Sequence, residues 1–363
     1  MHDRRPSVIA RPGRPTRRAA LAGLGAALLP ARGALAQGFA GMGAPAEGFS
    51  QVTPGPALTF PADHGPHPGH RIEWWYVTAN LSDDRGTPRG LQWTLFRSAL
   101  APETGAGWQD PQIWFAHAAV TTPDRHLTAE RRARGGVGVA GVRAAPFRAR
   151  IADWAMTADG AGIGRLTLSA AGGAFAYDLT LTADAPPVAH GKAGYSEKSP
   201  GGPASYYYAQ PFYSADGHVD LPDRRAPVTG RAWLDREWSS TPLTPDQGGW
   251  DWTGLHLEGG AKLMIFRLRG DEVVTAGSWI DAGGAVTALA FDAATMTPER
   301  TARVAGRSLP VAWRIRLPAR GLDVTLEAIN DAAWMDVAPP YWEGPVTVRG
   351  SHAGEGYLEM TGY

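Results

Sequence analysis

From position 71 to the C-terminus, apolar and polar residues alternate in short segments rather than in helical periods. The segments cover 72–81, 90–98, 113–121, 164–170, 175–183, 255–257, 262–269, 273–280, 311–317, 324–328, 345–350 and 356–361. Each is rich in aromatic or β-branched residues and is bounded by Gly, Asp or Pro, which predicts strands joined by turns. No stretch sustains a 3.6-residue period. The predicted class is all-β, and so many short strands at regular spacing point to barrels or sandwiches.

The densest stretch is 230–252, which carries four tryptophans, three aspartates, a glutamate and two arginines in 23 positions. Read as a strand, 230–238 alternates faces. Trp233, Asp235 and Glu237 then point one way, and Leu234, Arg236 and Trp238 the other. Two carboxylates on one aromatic-flanked face are costly to bury unpaired, and burial raises at least one pKa. Pairing with Arg231, Arg236 or Arg267 at a barrel rim is the plainer alternative.

A faint internal repeat links the two halves. Trp74-Trp75-Tyr76 and Thr94-Leu95-Phe96-Arg97 parallel Trp250-Asp251-Trp252 and Met264-Ile265-Phe266-Arg267, at offsets of 176 and 170. The Ser/Thr/Pro-rich stretch 239–247 interrupts any strand. These features divide the chain into a leader (1–36), a Gly/Ala/Pro-rich arm (37–57), an N-terminal β domain (58–240) and a C-terminal β domain (241–363).

Composition narrows the setting. The 363 residues are 44% apolar, ample for a core, and no apolar run approaches the roughly 20 residues that cross a bilayer. The first 36 residues read as an export signal. Arg4, Arg5, Arg11, Arg14, Arg17 and Arg18 precede an apolar run from Ala19 to Pro30, and Ala34-Leu35-Ala36 forms a small-x-small cleavage site. Thr16-Arg17-Arg18 followed by Leu21 resembles a twin-arginine signal, so the mature chain is expected in the periplasm or outside the cell. Losing the leader leaves 28 basic and 34 acidic side chains, a net charge of −6 that argues against nucleic acid. With no cysteine, disulfides and thiolate metal sites are excluded.

Other motifs carry less. His64, His67 and His70 are three apart, but the Pro and Gly between them prevent one helical face, so a turn-rich loop is expected and no metal is assigned. Gly135-Gly136-x-Gly138 lacks the strand–helix context of a dinucleotide site, and no cofactor is predicted. Ser205, Ser239 and Ser240 lack a Gly-x-Ser-x-Gly elbow, which disfavours a serine hydrolase.

Seven motifs occur in one order: His70-x-x-Glu73-Trp74-Trp75-Tyr76, Gly194-Tyr195-Ser196, Ser205-Tyr206-Tyr207-Tyr208-x-x-Pro211, Trp233-Leu234-Asp235-Arg236-Glu237-Trp238, Gly249-Trp250-Asp251-Trp252, Tyr341-Trp342-Glu343-Gly344, and Gly356-Tyr357-Leu358-Glu359-x-Thr361-Gly362-Tyr363. Together, from about residue 58 onward, they resemble the carotenoid 1,2-hydratase (hydroxyneurosporene synthase) family, in its exported AttH-like branch. The resemblance implies two tandem lipocalin-like antiparallel β-barrels packed together, with an apolar cavity for an isoprenoid or lipid. It also implies cofactor-free hydration of a C=C bond. In the hydratases the segment matching 233–238 resembles Tyr-His-Asp-His-Asn-Trp. Here Asp235 is retained, Leu234 and Arg236 replace the histidines, and Glu237 replaces the asparagine.

Hydrating an isolated alkene requires an acid able to form a tertiary cation, and a wall that shelters it. A carboxylic acid kept protonated by a dry pocket suits the first need, which makes Asp235 the expected donor with Glu237 beside it. Aromatic faces suit the second, through cation–π attraction of about 2 kcal/mol when desolvated. Expected substrate contacts are Glu73, Trp74, Tyr76, Tyr207, Trp233, Trp250, Asp251, Trp252 and His256. Plainer roles exist for some: Glu73 as a buried carboxylate accepting N–H bonds, and His256 and His117 as core histidines. Two functional readings follow: an acid hydratase, or a non-catalytic periplasmic lipid carrier or export accessory that could serve a membrane transporter.

Overall fold

The computed structural model describes residues 42–363 except Pro45, Pro56 and Ala161, so the expected leader lies outside the described residues. The strand signals of the sequence are realised as two large antiparallel sheets. The first contains β1 (Ile72–Asp83), β2 (Pro88–Ala99), β3 (Gln112–Thr121), β4 (His126–Arg134), β5 (Ala140–Arg143), β6 (Arg148–Ile151), β7 (Trp154–Ala158), β8 (Arg165–Ala171), β9 (Ala176–Ala183), the short β10 (Val188–Ala189) and β11 (Tyr195–Glu197), β12 (Ala204–Leu221) and β13 (Arg224–Ser239). The second contains β14 (Gly249–Leu257), β15 (Lys262–Arg269), β16 (Val273–Ile280), β17 (Val286–Leu289), β18 (Thr295–Val304), β19 (Arg307–Leu317), β20 (Leu322–Ala328), β21 (Trp334–Met335), β22 (Tyr341–Gly350) and β23 (Gly354–Met360).

Both sheets share one topology. The first runs β4-β3-β2-β1-β13-β12-β9-β8-β7-β6-β5 and the second β17-β16-β15-β14-β23-β22-β20-β19-β18, so in each the first strand hydrogen-bonds the last. Each sheet curls into a barrel-like half, and the fold is two lipocalin-like barrels side by side.

Alternation along the strands decides what each barrel encloses. On β1, Trp75, Val77, Ala79 and Leu81 fill the first barrel with Leu234 and Trp238 of β13. On β14 and β15, Leu255, Leu257, Leu263 and Ile265 fill the second around Trp313. The opposite faces of these strands are also buried, because they meet each other: Tyr76, Tyr207 and Trp233 from the first sheet join Trp252, Met264, Phe266 and Leu268 from the second in a third apolar cluster. Burial on both faces explains the near-continuous apolar run at 263–268, whereas on β2 Gln92 and Thr94 are buried polar residues between Leu91, Trp93 and Leu95.

The barrels approach closely. A Cβ on Gly90 would lie 2.4 Å from Pro345 Cγ and 2.7 Å from the Tyr357 hydroxyl, so only glycine fits there. The Asn80 side-chain amide donates to the Gly356 carbonyl across the junction (2.9 Å), and Tyr76 meets Trp252 edge-to-face at 5.4 Å. Such aromatic pairs contribute about 0.5–1.5 kcal/mol beyond burial.

The internal repeat is real, but its register differs from the sequence alignment. Glu73 lies opposite Arg97 and Trp74 opposite Phe96, while Asp251 lies opposite Arg267 and Trp252 opposite Phe266. Trp74 therefore corresponds to Trp252, not to Trp250. An acid–arginine pair inside each barrel defines the repeat, and the aromatic clusters used for the alignment slide past it by two residues.

Candidate functional site

A cavity of about 320 Å³ lies between the barrels, not within either one. Its wall is aromatic, with Trp74, Tyr76, Phe96 and Tyr207 from the first sheet and Trp250, Trp252 and Phe266 from the second. The polar groups on it are few: Asp235, Glu237, Lys198, Glu359, His117 and the Tyr341 hydroxyl among them.

Strand β13 places Asp235 and Glu237 on this face, as the alternation of 230–238 requires. Asp235 Oδ1 accepts from the Trp233 indole N–H and Oδ2 from the Tyr207 hydroxyl, each at 2.7 Å. Tyr207 in turn accepts from the Trp252 indole at 3.2 Å. Burial raises the Asp235 carboxyl and the nearby Glu237 charge adds to this. The Trp233 and Tyr207 hydrogen bonds and Lys198 oppose it only in part, and the result is pushed up to about 8. Glu237 pairs with the Lys198 ammonium at 2.6 Å, not with any of the three arginines considered from sequence. Lys198 sits 4.6 Å from the centre of the Phe266 ring and 5.0 Å from that of Tyr207.

The second sheet supplies another acidic group. Glu359 on β23 lies opposite Trp252 and opposite Glu343 on β22. It accepts from the Trp250 indole at 2.6 Å, and burial, partly offset by that bond and reinforced by Glu237, pushes it up to about 7. Glu343 is buried behind the wall and accepts from the Tyr76 hydroxyl at 2.6 Å. Burial first, and then Glu359, hold its carboxyl well above the usual range. Tyr341 contacts His117 Nδ1 at 3.1 Å, and burial depresses that imidazole to about 4.

Four of the expected substrate contacts do not line the cavity. Glu73 points into the first barrel, where it pairs with Arg97 and Arg236 and accepts from the His67 backbone N–H at 2.9 Å. Burial alone would raise its carboxyl, but Arg236, His67 and Arg97 outweigh that and hold it well below the usual range. Asp251 likewise turns inward, to Arg267 (2.8 Å) and the Tyr363 hydroxyl (2.8 Å). His256 donates from Nε2 to the Pro211 carbonyl (3.0 Å), a structural contact between the sheets. Trp233 touches Asp235 but lies behind the wall. For Glu73 and Asp251 side-chain direction on a pleated strand sets the outcome, whereas Trp233 and His256 share the cavity-facing side of their strands with Asp235 and Trp252 but lie farther along them, packed against each other at 5.7 Å. Of the histidine loop, His67 is held between Asp63 (3.1 Å) and Glu73 (3.2 Å) and stacks on Trp238 at 3.9 Å. No cluster suited to a metal ion occurs among the described residues.

Residues 51–363 match the AttH-like family. The chain belongs to that family. A crystal structure described as AttH from Nitrosomonas europaea is 35% identical with a TM-score of 0.76, covering 87% of this chain and 100% of that one. Kievitone hydratase from Nectria haematococca is 14% identical with a TM-score of 0.66, over 87% of this chain and 96% of that one. CghA with Sch210972 is 14% identical with a TM-score of 0.51, over 88% and 97%. The last two likenesses are of fold alone. No curated protein sequence matches. Within this AttH-like chain, Lys198, Glu343 and Glu359 escaped sequence reasoning. Glu343 and Glu359 sit in motifs quoted for the family, and their alternation with Trp342 and Leu358 was the available signal.

Proposed function

We propose that this AttH-like protein hydrates a C=C bond of an apolar, isoprenoid-like substrate by acid catalysis, with Asp235 as the proton donor. The observation that carries this reading is a carboxyl enclosed in an aromatic cavity and shifted to about 8, hence protonated at neutral pH. Protonation of a terminal trisubstituted alkene gives a tertiary cation, which the faces of Trp74, Tyr76 and Trp252 would shelter. Glu237, neutralised by Lys198, adds to the field that keeps Asp235 protonated without presenting a bare anion to the cation.

The cavity volume equals that of about ten liquid waters. It suits a ten-carbon isoprenoid or one end of a longer one, whose remainder would pass Pro242, Leu243 and Pro339 on the wall. The arginine-rich leader supports action in the periplasm after export.

A second reading, a lipid carrier that hands its ligand to a membrane transporter, is favoured by one observation: both Asp235 oxygens are already engaged by Trp233 and Tyr207. Mass spectrometry of an organic extract from protein purified without detergent separates the two. A pair of species differing by the mass of water supports the hydratase. A single species unchanged from its membrane pool supports the carrier.

A further inference from the structure

The two sheets are built alike, and their correspondence brings a second carboxyl to the cavity. Trp74 pairs across strands with Glu237, and Trp252 pairs with Glu359. Glu359 is thus the second barrel's counterpart of Glu237, but its surroundings differ. Glu237 carries the Lys198 ammonium. Among the described residues Glu359 accepts only the neutral Trp250 indole N–H, on Oε1, and no Lys or Arg forms an ion pair with it. Glu343, opposite it on β22, Glu237 and the Tyr76 and Tyr341 hydroxyls are, among the described residues, the charged or titratable groups that face it. Its remaining acceptor capacity is directed to a cavity whose other acid is Asp235.

We propose that Glu359 is the base that takes the proton of the attacking water. This rests on the hydratase reading above and divides the reaction between the barrels. The alkene π electrons take the proton of the Asp235 carboxyl, forming a C–H bond and leaving the Asp235 carboxylate and a tertiary cation. A water oxygen then forms the C–O bond while one of its O–H bonds breaks, and that proton passes to the Glu359 carboxylate. The cycle closes when the proton returns from Glu359 to Asp235 through water. The net change is one water added to one alkene.

The test uses geraniol, an acyclic ten-carbon isoprenoid alcohol, in D2O. A cation formed at Asp235 can collapse back to the same alkene by losing the original hydrogen of the protonated carbon, and so exchanges the vinylic C–H of the terminal double bond whether or not water adds. In Glu359→Gln, hydration should fall by about 100-fold or more, while Asp235-dependent deuterium exchange and quenching of tryptophan fluorescence by geraniol stay within about twofold. Glu359→Asp keeps a carboxylate and should restore part of the hydration. A merely structural role would lower exchange and hydration together. Wild-type hydration in Glu359→Gln, parallel loss of exchange in a variant that still binds geraniol, or no recovery in Glu359→Asp would each overturn the assignment. If the wild type itself shows no Asp235-dependent exchange, the hydratase reading fails, and this role of Glu359 falls with it.

Discussion

Trp74 and Trp252 occupy equivalent places in the two barrels and face one cavity. Each stands opposite a phenylalanine on one neighbouring strand and a glutamate on the other, Phe96 and Glu237 for Trp74, Phe266 and Glu359 for Trp252. The chemistry of the site arises from departures within this shared frame. Asp235 occupies the position that Tyr357 holds in the second barrel, since each lies two residues before its glutamate on the last strand.

Beneath Trp74, Glu73 holds a structural charge cluster. Glu73→Gln removes the anion between Arg97 and Arg236, both buried. Breaking a buried pair from one side costs about 3–5 kcal/mol. Urea unfolding should show that loss, with turnover per folded molecule unchanged. A variant of wild-type stability with selectively reduced turnover would instead put Glu73 in the reaction.

The shifted Asp235 predicts a pH signature in stability. Its folded pKa of about 8 lies above its ordinary value of 3.8, so between those limits the folded state holds a proton that the unfolded chain has lost. Stability contributed by this group is fully present below about pH 4 and is lost as pH rises, by up to about 1.4 kcal/mol per pH unit. Asp235→Asn removes the dependence. Its stability relative to wild type should therefore rise between about pH 4 and 8 and level off above. A constant difference across urea titrations at pH 5, 7 and 9 would show that Asp235 is not shifted upward.

The junction between barrels depends on Gly90. Gly90→Ala forces a methyl group against Pro345 and the Tyr357 hydroxyl, and should destabilise by about 1–3 kcal/mol. Gly160→Ala, where nothing lies within 4 Å, should be near neutral. Equal unfolding midpoints for the two would mean the barrels can separate at Gly90 without cost.

Much of this was legible in the sequence, unevenly and for physical reasons. The period-two pattern reveals the strands and puts Asp235 and Glu237 together on one face, because neighbours two apart on a strand share a side whatever the tertiary fold. The pattern cannot tell which buried face lies inside a barrel and which between barrels, since both are apolar. Glu73 and Asp251 were therefore expected at the substrate and instead turn inward to arginines. The long hairpin of β12 and β13 was half hidden, because its distal part around Asp220, Asp223, Arg224 and Arg225 is polar on both faces. Lys198 meets Glu237 from a loop, a long-range contact with no local signature.

The most direct test of the account is turnover and binding by Asp235→Asn. With geraniol in ¹⁸O-labelled water, the wild type should yield a labelled tertiary alcohol. Asp235→Asn can still accept the Trp233 and Tyr207 hydrogen bonds only in part, but it keeps the cavity's shape. It should bind geraniol within a few-fold of wild type and lose hydration by about 100-fold or more. Undiminished hydration by Asp235→Asn would contradict the account.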